Sequence, residues 1–194
     1  MTIDLDALFA LHGESIERWK KESLHLIHQG FFALAEENHA FNFQLWNAED
    51  RARRDDQGYQ YVYEAKREID GFNQQRNNRM EAMDEWLFTH LSPSNATNCP
   101  VHSETPGMII DRLSILALKT YHMALQTRRE DAGEAHRLLC QRKLDTLCLQ
   151  QKQLQECLRQ LIHEVKTGVR TFRVYHQFKM YNDPTLNPCL YEQN

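Results

Sequence analysis

The chain has 194 residues, 41% hydrophobic and 26% charged, with a formal net charge of −4. That length fits one domain able to bury a full hydrophobic core without disulfides or a structural metal. The acidic balance excludes a nucleic-acid binder that works by bulk charge but not a local basic pocket, and no apolar run reaches the roughly 20 residues of a membrane span.

In chain order, Met1-Thr2-Ile3-Asp4-Leu5-Asp6 lacks the basic start and apolar core of a signal peptide, which predicts a cytoplasmic protein. Leu5, Leu8, Phe9, Ile16 and Trp19 predict a helical start interrupted near Gly13. A long helix is predicted from Glu22 to about Arg54, with Leu24, Ile27, Phe31 and Leu34 on one face and Gly30 as its weak point. Asp55-Asp56-Gln57-Gly58 reads as a stop and turn. Helix formers return from Tyr59 to Leu91, where Ile69, Phe72, Met80, Met83 and Leu87 keep helical spacing. No proline occurs before Pro93, which leaves room for long helices, and Ser92 to Pro100 is the clearest loop.

Thr105-Pro106 predicts the next helix start, with Thr as N-cap and Pro where the missing N–H would be orphaned anyway. The run Met108 to Leu118 is apolar nearly all round and predicts a central, buried helix. After a charged turn, Arg128 to Gly133, a last long helix is predicted from about Glu134 to Thr167. Its seam is Cys140, Leu144, Leu147, Gln151, Leu154, Leu158, Leu161 and Val165, with Gly168 as its stop. Five cysteines without a Cys-x-x-Cys pair fit free thiols in a reducing compartment. The tail Phe172–Pro184 is aromatic and basic and is expected to pack on the bundle. The prediction is therefore all-α: about four to five long helices, residues 1–21 as an N-terminal helical segment and 22–191 as the bundle.

Polar residues follow helical spacing as closely as the apolar ones. His39, Asn42, Trp46, Glu49 and Arg53 fall on one face of the second helix, and Lys66, Asp70, Asn73, Asn77, Glu81 and Asp84 on one face of the third. A solvated surface laced with salt links accounts for any one such stripe. The Asn, His and Trp content points instead to a polar network or a ligand, since a mid-helix Asn gains nothing without a partner. Asp111, Arg112, Ser114 and Lys119 interrupt the apolar fourth helix, where a charge needs a partner or a ligand. Arg53, Lys66, Arg76, Arg112, Lys119, Arg173 and Lys179 supply cations enough to hold an anion such as a phosphate.

Templates for known chemistries fit poorly. Glu22-x-x-His25 and Glu36-x-x-His39 lie on the same predicted helix and cannot face each other, as a di-iron bundle requires. An all-α pyrophosphohydrolase holding Mg²⁺ finds carboxylates in Glu49, Asp50, Asp70, Glu81, Asp84 and Asp111, but Glu81-x-x-Asp84 lacks its upstream partner motif. Gly-x-Ser-x-Gly, a Gly-rich phosphate loop and zinc-ligand spacing are all absent, and no cysteine has an evident histidine partner at short range.

Four blocks carry a family resemblance: HAFNFQLWNAED at His39–Asp50, DGFNQQRN at Asp70–Asn77, ETPGMIIDRLSIL at Glu104–Leu116 and KMYNDP at Lys179–Pro184. Together they resemble the bacterial "domain of unknown function 4254" family, over about His39 to Tyr191. The resemblance implies a helical fold and, through genes that tend to neighbour the family's own, an association with glycosyltransferases of cell-envelope polysaccharide. This chain carries Asn47 where the family pattern often has His, and Asn78 where it has Asp.

The sequence therefore predicts a small anionic metabolite, phosphorylated and sugar-linked in one version, as ligand. The binding candidates are Asn42, Trp46, Asn73, Arg76, Asn77, Glu104, Arg112, Lys119, Lys179, Asn182 and Asp183. Glu49, Asp70 and Asp111 are the candidates for a catalytic carboxylate. His39, Glu49 and Asp50 are those for a metal, with Mg²⁺ the cation such carboxylates would take. A non-enzymatic partner of a glycosyltransferase and a metal-dependent hydrolase are the alternatives. The oligomeric state is open, a homodimer included.

Overall fold

Glycine, proline and capping side chains set the ends of helices whose apolar spacing fills a core. In the computed structural model the helices are α1 (Leu5–Lys21), α2 (Phe31–Arg51), α3 (Tyr59–Leu91), α4 (Pro106–Thr127), α5 (Glu134–Lys166) and a short α6 (Pro188–Tyr191). The structure describes residues 3–178, 180 and 183–191. Among these, one isolated parallel bridge, Val101 with Thr171, is the extent of β pairing. No helix among them is long and apolar enough to cross a membrane. All five cysteines are free.

The predicted bundle of four to five long helices is present, and several ends fall where their chemistry places them. Thr105 caps α4 by accepting the Met108 N–H at 3.2 Å, α3 spans Tyr59–Leu91, and Gly168 stops α5 at φ +72°. Two predictions fail. First, α1 runs unbroken through Gly13, which faces open space and meets no neighbour that would bend the helix. Second, residues 22–30 are not helical, so α2 begins at Phe31, behind Gly30 at φ +61°. Leu24 and Ile27 are consequently exposed, and Glu22 and His25 do not share a helix with Glu36 and His39.

The cause of the second failure is one carboxylate. Glu36 is fully buried and accepts the N–H groups of Ile27 (2.9 Å) and His28 (3.0 Å), while also pairing with Arg18. Those two N–H groups are held by a side chain and not by a helix ladder, so the linker wraps over α2 and lays α1 on the bundle. Burial alone would push the Glu36 carboxyl up. The N–H groups of His28 and Ile27 and the His28 ring outweigh it and hold that carboxyl below its ordinary range.

Helices α2 and α3 form an antiparallel pair stitched near its turn end by Arg51 with Glu68 and by Lys66 with Glu49 (3.9 Å), and farther from the turn by Arg79 with Glu37 (2.6 Å). Helices α4 and α5 form a second hairpin against it. The main core joins Leu8, Phe31, Met83, Leu87, Ile109, Ile110, Leu158 and Phe172. Each such fully buried side chain contributes about 1.5–3 kcal/mol. A second apolar cluster joins Ile16, Trp19, Phe43 and Leu118, and a third lines the α2–α3 turn end. Along α2 and α4 a polar layer separates the first cluster from the second.

The tail divides. Phe172 is buried against Phe88 with ring centroids 5.8 Å apart, but Tyr175 and Phe178 are exposed, against the expectation that its aromatics are all covered. Glu81 of α3 holds the stretch between them, accepting the Gln177 N–H at 2.7 Å and meeting His176 Nδ1 at 3.1 Å.

Candidate functional site

The polar layer is built around Asp111, which α4 buries to 2% exposure. Arg76 of α3 grips it with two nitrogens, Nε at 2.7 Å and Nη2 at 2.5 Å. Asn38 and Asn42, one turn apart on α2, donate to the same carboxylate at 3.1 and 2.9 Å. One buried charge is thereby neutralised and its lone pairs are filled from two neighbouring helices, as a buried ion pair needs. The bond to Asp111 raises the pKa of the Arg76 guanidinium above its ordinary value, so that guanidinium stays charged.

A relay of hydrogen bonds runs on from it. Asn42 donates to Ser114 Oγ at 2.9 Å, Ser114 lies 2.7 Å from His39 Nδ1, and His39 Nε2 lies 2.9 Å from the His12 carbonyl. Burial drives the His39 pKa well below its ordinary value, with His12 adding to it. The ring is therefore neutral. A carbonyl can only accept, so Nε2 carries the proton and Nδ1 accepts from the Ser114 hydroxyl. His12, wholly buried beside it, has an Nε2 with no partner. Both ring nitrogens of His39 are thus spent inside the fold, and this sequence-predicted metal candidate has no lone pair to offer.

Further along the same two stripes the structure opens. Asn42, Trp46, Glu49 and Asp50 of α2, Asn73 and Arg76 of α3, and Ile115 and Leu118 of α4 line a cleft of about 370 Å³, with Arg53 at its rim. Glu49 pairs with Arg53 at 2.7 Å, so part of this cleft's charge is already matched. Trp46 and Asp50 also border a second cleft of about 650 Å³ between α2, α4 and α5. There Lys119, His122, Gln126, Lys143 and Thr146 converge. His122 lies flat on Trp46, centroids 4.3 Å apart and planes 6° from parallel. Burial, then Lys20, pushes the His122 pKa down against an opposing pull from Asp50, so it stacks as a neutral ring. Lys119 and Lys143 make no ion pair among the described residues.

The other sequence candidates are not brought to these clefts. Arg112 and Glu104 pair with each other at 2.5 Å on the solvent side of the first turns of α4. Arg112 and Lys119 are thus on the surface and not inside the apolar helix, because α4 buries one side only. Lys119 and Ile115 continue the lining into a further groove of about 480 Å³ with Arg112, Gln150 and Gln153. Asp70 is exposed, 3.7 Å from Arg67, and Asn77 is half-buried outside both clefts. Asp183 closes a local turn by accepting from Thr185 N (2.8 Å) and Oγ1 (2.6 Å). Lys179 and Asn182 lie outside the described residues. Asp84, at the end of the α3 stripe, is structural. It accepts the Gly107 N–H at 2.6 Å and the Thr105 hydroxyl, tying α3 to the start of α4.

Sequence reasoning missed Asn38, His122 and Lys143. Asn38 stands one turn before Asn42, a signal that helical spacing could have given. Cys140 also has a histidine neighbour after all, His136 Nε2 at 3.4 Å, exactly the one-turn spacing His-x-x-x-Cys. Among the described residues no group of three or more His, Cys, Asp or Glu side chains is arranged to hold a metal ion. His39, Glu49 and Asp50 therefore do not form a ready-made metal centre.

Cleft walls contributed by the two hairpins define a helical protein with a polar seam that is sealed at one end and open at the other. Residues 33–174 match the model of the family described as "Protein of unknown function (DUF4254)", and the chain belongs to that family. Three of the four sequence blocks fall inside the match, and the Lys179–Pro184 block lies beyond it. Comparison with curated proteins and with solved structures finds no match.

Proposed function

We propose that the chain binds a phosphorylated or otherwise anionic metabolite in the two clefts that meet at Trp46. One observation carries this reading. Asn42, Trp46 and Glu49 from one stripe, Asn73 from the other and the candidate cation Arg76 line a single cleft, and that cleft adjoins a second one bearing two lysines without ion-pair partners among the described residues. Lys119 and Lys143 hold the anion as point charges, Trp46 is the stacking wall, and Asn73 supplies an amide that both donates and accepts. Glu49 and Asp50 are the carboxylates that a Mg²⁺ bridging to a phosphate would use. The link to cell-envelope polysaccharide assembly in the cytoplasm rests on the family resemblance alone.

Calorimetric titration with inorganic phosphate, pyrophosphate and glucose 1-phosphate, each with and without Mg²⁺, tests the reading. Saturable binding of at least one, weakened in Lys119→Ala/Lys143→Ala, is the expected result. No binding by any of them overturns it.

A second reading, a non-enzymatic partner of a glycosyltransferase, is favoured by the closure of the Asp111 network. There Asn38, Asn42 and Arg76 are already satisfied by protein groups. In that case the seam would hold the bundle's shape, and substitutions at Trp46 or Lys119 would leave small-molecule binding untouched because there is none.

A further inference from the structure

The two clefts differ in chemistry, and the difference describes a ligand with two unlike ends. In the smaller one the cations are spent: Arg76 is committed to Asp111 and Arg53 to Glu49. What remains free to contact a ligand is one surface of Trp46 and the Asn73 amide. The larger cleft carries the uncommitted positive charge, Lys119 and Lys143, with Lys20 close enough to act on His122. Trp46 is the partition. His122 covers it from the larger cleft, where both residues are lining, while the smaller cleft is lined by Trp46 without His122. Asp50 stands at the junction, exposed, bordering both clefts and without an ion-pair partner among the described residues.

We infer that the ligand is a nucleoside diphosphate, with its base stacked on Trp46 beside Asn73, its ribose at Asp50 and its diphosphate on Lys119 and Lys143. This rests on the anion-binding reading above and deepens it. A planar base is what a tryptophan already in parallel stacking can extend, and a base edge is what an amide reads with paired donor and acceptor. A carboxylate between the two ends accepts from vicinal ribose hydroxyls, the use made of an acidic residue in dinucleotide sites. Where no cation bridges the two, it repels a phosphate placed at the same point, which sorts the diphosphate toward the lysines. Lysines serve phosphate as compact charges and need no fixed fork geometry.

The test is calorimetric titration of the full chain with adenosine 5′-diphosphate, uridine 5′-diphosphate, adenosine and inorganic pyrophosphate. At least one nucleoside diphosphate should bind about tenfold or more tighter than pyrophosphate, the increment that one stacked base supplies. Trp46→Ala should bring that nucleotide down to the level of pyrophosphate and leave pyrophosphate itself unchanged. Lys119→Ala/Lys143→Ala should weaken both. If Trp46→Ala melts early, Asn73→Ala takes its place, with the same selective loss expected. Pyrophosphate binding as tightly as both nucleotides overturns the nucleotide assignment and leaves anion binding standing. Failure of all four probes overturns the assignment, and failure of the simple phosphates as well overturns the anion reading beneath it.

Discussion

The two ends of one polar stripe on α2 have opposite fates. At His39 and Asn42 the stripe is buried and every bond from it runs to protein: Asp111, Ser114 and the His12 carbonyl. One to two turns later, at Trp46, Glu49 and Asp50, the same face borders open clefts. The sequence pattern is continuous across both. What changes is the covering: α1 lies over the first part through His12 and Trp19 packed on His39, while in the second His122 of α4 stacks on Trp46 and Glu49 and Asp50 border the open clefts. A polar stripe at helical spacing is thus neither a site nor a scaffold until its neighbours are known.

The contrast breaks most severely at its buried end. Asp111→Ala leaves the Arg76 guanidinium and two amides without their acceptor in the interior, and should cost about 3–5 kcal/mol in urea denaturation. Acid should act there next. Burial lowers the His12 pKa from 6.5 to about 4, against a smaller upward pull from Asp111. Between those values the unfolded chain binds more protons than the folded one. The contribution is whole above about pH 6.5 and is lost as pH falls toward 4, amounting to about 3 kcal/mol for His12 alone. His39, lowered in the same way, adds in the same direction. Asp84 opposes them, because burial raises it to about 6 against the bonds from Thr105 and Gly107. Its neutral form favours the fold as pH drops from about 6 toward 3.8. Melting temperature should therefore fall first between about pH 6.5 and 6, where the histidines act unopposed, and His12→Leu should flatten that part of the profile.

A smaller loss is expected at the contact that sets α3 against α4. A Cβ at Gly107 would stand 2.6 Å from the Met80 carbonyl oxygen and 2.8 Å from Asp84 Cγ. The oxygen belongs to the backbone of α3 and cannot swing aside, so Gly107→Ala should cost about 1–3 kcal/mol by the same denaturation assay. The open end should hardly register. Lys119→Ala and Lys143→Ala remove exposed, unpaired charges and should change stability by less than about 0.5 kcal/mol, while weakening any anion that binds.

What was legible in the sequence is what short range decides. The Thr105-Pro106 start, the whole of α3 and the Gly168 stop depend on caps, spacing and φ preferences within a few residues. The non-helical stretch 22–30 was hidden because Glu36 captures N–H groups eight and nine residues before it, a bond that no propensity scale contains. Gly13 misled in the other direction: a glycine facing open space lowers helix stability without breaking the helix. For the clefts, Asn42, Trp46, Glu49, Asn73 and Arg76 could be picked out because α2 and α3 are sequential antiparallel neighbours. Lys143 could not, since α5 carries several exposed cations and only its docking against α4 selects this one. Arg112 was misplaced for a related reason. Its surroundings in sequence are apolar, but it projects from the side of α4 that stays uncovered, where Glu104 meets it.

The most direct measurement is the thermal shift produced by pyrophosphate in the wild-type chain and in Lys119→Ala/Lys143→Ala, run side by side with Asp111→Asn. An open, anion-holding end and a sealed, structural end predict three results. Pyrophosphate raises the wild-type melting temperature, the lysine variant melts as wild type but loses the shift, and Asp111→Asn melts lower while keeping the shift. Equal shifts in wild type and lysine variant, or a lysine variant as destabilised as Asp111→Asn, would contradict the division of the stripe into a structural end and a binding end.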